Sequence, residues 1–214
     1  MIGPVAAAER VSTELVLAVD VSLSINDIEF ALQTRGMADA FRDPDVIALI
    51  AAQPHGLAVV VTQWTGTFEA AEPLPWFVLR NEADVLAYAT ALAATPRMEF
   101  GNYTGLGNAI AYAVQLIETN AYQGDEKKID VSGDGRNNTG PEPRNTRMLA
   151  VQSGITINGL AIIDNDKALK DYYINNVITG PGAFAIAAND FEAFGEAFKR
   201  KLKRELSPKT AALE

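Results

Sequence analysis

The sequence predicts an α/β domain built on a mostly parallel sheet, and three observations carry that expectation. Strand-like and helix-like stretches alternate along the chain, which is the pattern of layered α/β folds. Residues 13–19 contain the unbroken apolar run Leu15-Val16-Leu17-Ala18-Val19, which suits a strand covered on both faces. The second and third strands are joined by too few residues for a crossover helix. That pair is therefore a hairpin, with the third strand antiparallel and at the edge.

The elements follow in order. Asn26-Asp27-Ile28-Glu29 reads as a helix cap with Glu at the third helical position. The helix runs to about Arg42, with Ile28, Leu32 and Ala40 as buried positions and Pro44 just beyond its end. Residues 56–64, rich in valine, form the second strand. Thr65-Gly66-Thr67 is a turn, and residues 74–79 form the third strand, where Pro73 and Pro75 suit a sheet edge. Helices over 81–93 and 104–117 come next. The second keeps Leu106, Ile110, Ala113, Val114 and Ile117 near helical spacing. Residues 128–132 form a strand, 145–153 a helix, 155–163 a strand, 166–174 a short helix and 184–187 the sixth strand. Residues 189–206 form the closing helix, with Phe191, Phe194, Phe198 and Leu202 as its apolar stripe. This organisation gives a flexible segment over 1–12, one domain over 13–206 and a tail over 207–214. Leu213-Glu214 in that tail reads as a vector remnant.

The chain has 214 residues, 48% of them hydrophobic and 21% charged, an ordinary composition for one well-buried core. Lys and Arg number 18 against 27 Asp and Glu, for a net charge of −9. That balance argues against a nucleic-acid partner, which needs a basic face. Cysteine is absent, so disulfides, zinc–thiolate sites, iron–sulfur clusters and thiol nucleophiles are excluded. No run approaches the ~18 apolar residues of a transmembrane segment. Pro4-Val5-Ala6-Ala7-Ala8-Glu9 resembles the small-residue end of a secretory signal, without the apolar stretch that precedes one. The alternative is a short alanine-rich start. A periplasmic or secreted location is expected on the first reading and a cytoplasmic one stays open on the second.

The chemistry concentrates in Asp20-Val21-Ser22-Leu23-Ser24. This turn at the end of a buried strand puts one carboxylate and two hydroxyls on one loop. Hard cations such as Mg²⁺ take oxygen ligands. Further oxygens are expected from Thr104, in Gly101-Asn102-Tyr103-Thr104-Gly105, and from Asp134, in Ser132-Gly133-Asp134-Gly135. Ligands of open α/β sheets sit at the carboxyl ends of the strands, where strand order reverses. If the first and fourth strands are neighbours, these three loops share that edge.

Each residue also has a plainer role when taken singly. Asp20 caps a turn, and Thr104 caps a helix. Asp27 complements the helix dipole. Asp164-Asn165-Asp166 after the fifth strand is a solvated turn. Lys199, Arg200, Lys201, Lys203 and Arg204 complement the carboxyl end of the closing helix. The only histidine, His55, precedes the second strand and so lies at the opposite edge from Ser22, which removes a Ser-His-Asp triad.

The ordered set Asp20-x-Ser22-x-Ser24, Thr104 and Asp134-Gly135 resembles the metal-ion-dependent adhesion site of von Willebrand factor A domains. The resemblance extends from about Glu14 to Leu206. Segments such as 102–109, 129–138 and 155–160 are also similar to an uncharacterised, often secreted bacterial group carrying this domain. The resemblance implies a Rossmann-like three-layer α/β/α sandwich around a six-stranded, mostly parallel sheet with one antiparallel edge strand. It implies that Ser22 and Ser24 ligate Mg²⁺ directly (Mn²⁺ or Ca²⁺ as substitutes), that Thr104 ligates directly in one conformation and through water in another, and that Asp20 and Asp134 act mainly through bound waters. It implies a non-enzymatic module that captures an exposed Asp or Glu of a partner protein. Apart from the resemblance, Tyr103, Asn137, Asp164 and Asp166 on the same edge are candidate partner contacts. Two other readings stay open: a metal-dependent hydrolase on the same loops, with Asp164 or Asp166 as base, and a structural domain whose cation only stabilises loops.

Overall fold

The computed structural model describes residues 8–66, 70–98 and 101–208. Thr67, most of the alanine-rich start and Leu213-Glu214 lie outside them. Among the described residues are six strands, β1 (Glu9–Asp20), β2 (Leu57–Trp64), β3 (Ala70–Leu79), β4 (Tyr122–Gly133), β5 (Thr156–Ile162) and β6 (Ala185–Ala188). The helices are α1 (Asp27–Phe41), α2 (Pro44–Ala51), α3 (Glu82–Ala93), α4 (Leu106–Thr119), α5 (Pro143–Gln152), α6 (Leu169–Asn176) and α7 (Phe194–Leu206). The strands form one sheet in the order β3-β2-β1-β4-β5-β6. All neighbours are parallel except β2 and β3, which are antiparallel with β3 at the edge. Strand order therefore reverses between β1 and β4, and the carboxyl ends of both open on the same edge.

Alternation along the strands feeds two cores, giving a von Willebrand factor A-type α/β/α sandwich. Leu15, Leu17 and Val19 of β1 join Val59, Leu160, Met37 and Phe198 in a core under α1, α2, α3 and α7. Val16 and Ala18 point the other way, to Ile110, Ile129, Ile157 and Tyr173 under α4, α5 and α6. Burial on both faces explains why β1, β2 and β5 carry so little polar alternation. Helices α1 and α7 cross where Gly36 meets Gly195; a Cβ on Gly36 would lie 2.7 Å from the Gly195 Cα.

Several expectations need correction. β1 begins at Glu9, not residue 13, because its first residues pair with β4 from Tyr122 onward. Buried Glu14 stitches that end, accepting from Asn120 Nδ2 and the Gly124 N–H. Asn26 does cap α1, reciprocally with Glu29, but Ile28 faces solvent rather than the core. Pro44 opens a helix of its own, α2, with Asp43 accepting from the Asp45 and Val46 N–H groups. Proline suits that first helical position because its missing N–H has no partner to lose there.

The basic cluster of α7 is the largest revision. Lys201 is fully buried, its Nζ 2.6 Å from Asp130 Oδ2 and 2.6 Å from Glu205 Oε1. Lys203 pairs with Asp43 and Asp45, and the Arg204 guanidinium lies 3.8 Å over the Phe184 ring. Lys201, Lys203 and Arg204 are thus tied to specific partners in the fold, beyond any complement to the helix end. Among the described residues, no helix is long and apolar enough to cross a membrane.

Candidate metal centre

The sheet edge at the β1–β4 reversal brings four of the expected residues into one hydrogen-bonded chain. Asp20 ends β1, fully buried, and its Oδ1 accepts the Ser22 N–H at 2.8 Å. This closes the loop tightly and turns the Ser22 hydroxyl toward Ser24, with the two Oγ atoms 3.2 Å apart. Ser24 Oγ donates to Asp134 Oδ1 at 2.8 Å. A serine hydroxyl has one proton, so Ser24 accepts from Ser22 while donating to Asp134. Asp134 follows directly on β4, which ends at Gly133.

Thr104 reaches the same place from the loop before α4. It is not the helix cap; Gly105 occupies that position. Its backbone is held on both sides by Asn138, whose Oδ1 accepts the Thr104 N–H at 2.8 Å and whose N–H donates to the Thr104 carbonyl at 3.0 Å. Its side chain packs on Gly135, where an added Cβ would stand 3.4 Å from Thr104 Oγ1. Gly133 has a sharper purpose. A Cβ there would come within 2.7 Å of Asp20 Oδ2 and 3.0 Å of the Tyr173 hydroxyl. Only a bare backbone lets β4 approach the Asp20 carboxylate this closely.

The electrostatics are those of a centre short of positive charge. Burial, then the charge of Asp134, pushes the Asp20 carboxyl up to about 7. Burial also raises Asp134, with Glu29 and Asp164 adding to the effect. Burial, followed by the charges of Asp20 and Asp134, drives the Tyr173 hydroxyl upward as well. Asp20 Oδ2 is buried without a hydrogen-bond partner, a costly arrangement for a carboxylate oxygen. The arginines nearby are committed elsewhere: Arg97 to Asp27, and Arg136 to Asp166 at 2.6 Å. Among the described residues, no three His, Cys, Asp or Glu side chains gather as a metal-binding group. The donors here are two carboxylates and three hydroxyls. An all-oxygen set with an orphaned carboxylate oxygen fits a hard divalent cation by donor type and by charge.

The other named residues divide. Tyr103 is exposed beside Thr104, and Asp164 is exposed after β5. Asn137 is turned into its own loop, its Oδ1 accepting the Gly107 N–H at 3.3 Å and its Nδ2 donating to the Pro141 carbonyl at 3.4 Å. Asp166 accepts from Arg136 and from the Ala168 N–H, and the Arg136 hydrogen bond lowers its carboxyl. His55 sits at the far edge, its N–H bonded to Ser12 Oγ at 2.9 Å near the start of β1.

Sequence reasoning missed Arg97, Asn138 and Tyr173. Arg97 reaches under the Asp20–Ser24 loop, donating to the carbonyls of Ile25 at 2.5 Å, Val21 at 3.3 Å and Ser22 at 3.5 Å, and to Asp27 Oδ1 at 2.7 Å. Its signal in the sequence is faint, because it acts on backbone atoms far away in the chain. Asn138 stood in the motif-like run after Asp134, but nothing there marked it as the residue that holds Thr104.

Comparison with solved structures finds the same fold. Proximal thread matrix protein 1 of the mussel byssus superposes with a TM-score of 0.64 at 17% identity, over 93% of this chain and 47% of that one. The same mussel protein is also known with a zinc-occupied MIDAS motif. The pilus adhesin SpaC of Lactobacillus rhamnosus GG gives 0.63 at 14% identity, over 91% of this chain and 30% of that one. The vWF domain of the pilus tip protein Mfa5 of Porphyromonas gingivalis gives 0.59 at 11% identity, over 97% and 99%. The chain thus spans less than half of the mussel protein and of SpaC. At these identities the likeness is one of fold. No curated protein matches the chain. A family model does match, over residues 10–210. That span takes in all the strands and helices but the first residue of β1, and the chain therefore belongs to the family described as "Protein of unknown function (DUF1194)".

Proposed function

We propose that residues 13–206 form a divalent-cation-dependent protein-binding module, in which Ser22, Ser24 and Thr104 ligate Mg²⁺ and Asp20 and Asp134 hold its waters. The observation that carries this reading is the hydrogen-bonded chain Asp20–Ser22–Ser24–Asp134 across two strand ends, beside an orphaned Asp20 oxygen. Neutral hydroxyl ligands leave the cation with unspent positive charge. A partner's Asp or Glu neutralises it, and charge-assisted contacts of this kind are the strong ones. Mn²⁺ and Ca²⁺ are the natural substitutes. Tyr103 and Asp164 face outward and meet the partner; Asn137 and Asp166 shape the rim.

A hydrolase is less well supported. It needs a base beside the metal; Asp166 is held by Arg136 with its carboxyl lowered, which leaves the exposed Asp164 as the one remaining candidate base. A place outside the cytoplasm agrees with the fold shared with SpaC and Mfa5.

The test is a Mg²⁺ titration followed by thermal melting. Saturation at 100 times Kd adds about 2.7 kcal/mol to the native state, a rise of about 5–10 °C for a chain of this size. Asp20→Ala and Ser22→Ala abolish the rise. If both variants keep it, the ion binds elsewhere. Capture of a partner in Mg²⁺ and its release by chelator supports the binding module; ester or phosphate turnover lost in Asp134→Ala supports the hydrolase instead.

A further inference from the structure

Large apolar side chains left in water are unevenly distributed on this molecule. Among the described residues, Ile28 is 74% exposed, Leu23 69% and Tyr103 61%, while Leu86, Met148, Leu149, Val151 and Ile174 lie between 40% and 48%. The three most exposed all belong to the candidate metal edge. Leu23 sits between Ser22 and Ser24, Tyr103 precedes Thr104, and Ile28 lies in the first turn of the helix that follows the loop. Exposed apolar side chains gathered at one edge, rather than scattered singly over the molecule, point to an interaction surface.

Charge at the same edge points to what the patch receives. Asp27 is paired with Arg97 and Asp166 with Arg136, and Glu29 accepts the Asn26 N–H as part of the α1 cap. The two arginine-paired acids, Asp27 and Asp166, oppose an incoming carboxylate less than free acids would, whereas Glu29 and the exposed Asp164 lack such a cation partner among the described residues and are outweighed only by the bound cation. Leu23 and Tyr103 are chain neighbours of the proposed ligands, about 3.8 Å away from Cα to Cα. An extended peptide advances about 3.3 Å per residue. A peptide whose acid reaches the cation therefore lays the residues on either side of that acid onto the patch.

We infer that Leu23, Ile28 and Tyr103 form an apolar collar that selects a protein segment in which the captured Asp or Glu is flanked by large apolar side chains. This inference rests on the cation-binding reading above and adds the identity of the partner's neighbouring residues. The cation supplies the anchor and the collar supplies the discrimination, because hydrophobic area removed from water adds affinity only to partners that carry it.

The test uses three synthetic peptides titrated into the whole Mg²⁺-loaded protein: Gly-Leu-Asp-Phe-Gly, Gly-Gly-Asp-Gly-Gly and Gly-Leu-Asn-Phe-Gly. The apolar-flanked Asp peptide is expected to bind at least about tenfold tighter than the glycine-flanked one, about 1.4 kcal/mol. The Asn peptide should fail, and chelator should abolish binding. In Ile28→Ser/Tyr103→Ser the tenfold preference should vanish; its melting shift in Mg²⁺ reports an intact loop. Equal binding of the two Asp peptides overturns the collar, as does a preference that survives the double variant. A Mg²⁺ melting shift with no binding of either Asp peptide also overturns it, leaving the cation site standing. No melting shift in the unaltered protein refutes the cation site itself, and the collar falls with it. Mg²⁺-dependent self-association that the Asp peptide cannot compete away overturns it in favour of a second copy of the chain.

Discussion

Arg97 Nη2 donates to the Ile25 carbonyl at 2.5 Å, and from that position the same guanidinium spans the Val21 and Ser22 carbonyls while pairing with Asp27. One planar fork thus holds both ends of the Ser22–Ser24 segment and the first turn of α1. On the proposed reading, the hydroxyls of the loop are aimed before any ion arrives, which lowers the entropy cost of binding one.

Removing that fork should cost affinity for the ion more than it costs the fold. A hydrogen bond to a charged group contributes about 1.5–3 kcal/mol, and the 25% exposure of the side chain favours the low end. Arg97→Ala is expected to weaken Mg²⁺ about tenfold. Arg97→Lys should recover little of this, because a compact ammonium lacks the spread of a planar fork that reaches Asp27 with one nitrogen and the loop carbonyls with another. Calorimetric titration of Mg²⁺ into each variant checks both expectations, and equal affinity in all three proteins would show that the loop shapes itself.

Gly133→Ala makes the complementary test from the other strand. Its methyl would meet Asp20 Oδ2 at 2.7 Å and the Tyr173 hydroxyl at 3.0 Å. Overpacking of this kind costs about 1–3 kcal/mol. The Asp20 carboxylate must move, so the Mg²⁺-dependent rise in melting temperature should shrink or vanish while the protein still folds cooperatively. An unchanged rise would mean that the position of Asp20 does not matter to the ion.

The buried group Asp130–Lys201–Glu205 predicts how stability follows pH. Fully ionised, it holds two negative charges and one positive charge, with Lys128 turned to the Glu205 carbonyl oxygen and to Glu126 at 2.5 Å. Burial pushes the Asp130 carboxyl up to about 7, against the pull of Lys201 and with the push of Glu205. The folded protein then holds a proton that the unfolded chain has released. Its contribution to stability is complete below about 4, the ordinary carboxylate range, and is lost as pH rises to about 7. Asp130→Asn removes this dependence. Denaturant unfolding of both proteins between these limits should show the variant gaining relative stability with rising pH, and parallel curves would refute the shift.

Lys201 itself should tolerate no single replacement. Lys201→Met leaves Asp130 and Glu205 buried together without their cation, a loss of about 3–5 kcal/mol. Replacing all three with apolar residues of similar size should recover most of that loss, which chemical denaturation would measure.

The loops around the candidate metal edge were readable because strand ends follow general rules. An apolar run that stops at Asp20, and a second strand that stops just before Asp134, must deliver both to one edge if β1 and β4 are neighbours. Asn26 and Glu29 were readable for the same local reason. Arg97 was not, since a side chain that binds carbonyls 72 and 76 positions away leaves no spacing to find. Lys201 was misread because positive charge near a helix carboxyl end has a ready explanation in the dipole. The better signal was positional. Lys201 and Glu205 share the face of α7 that carries Phe198 and Leu202, a face that is buried. Ile28 failed in the opposite sense, being apolar at a position where α1 turns outward.

Ser24 and Asp134 touch across 110 positions of sequence. A chain growing from its amino end carries the serine loop long before β4 exists to complete it. That half-built cradle offers hydroxyls and one carboxylate to any ion, and holds none firmly. Only when β4 pairs with β1 does the second carboxylate arrive. On the proposed reading, an ion lodged there works as a seal on the pairing of β1 with β4.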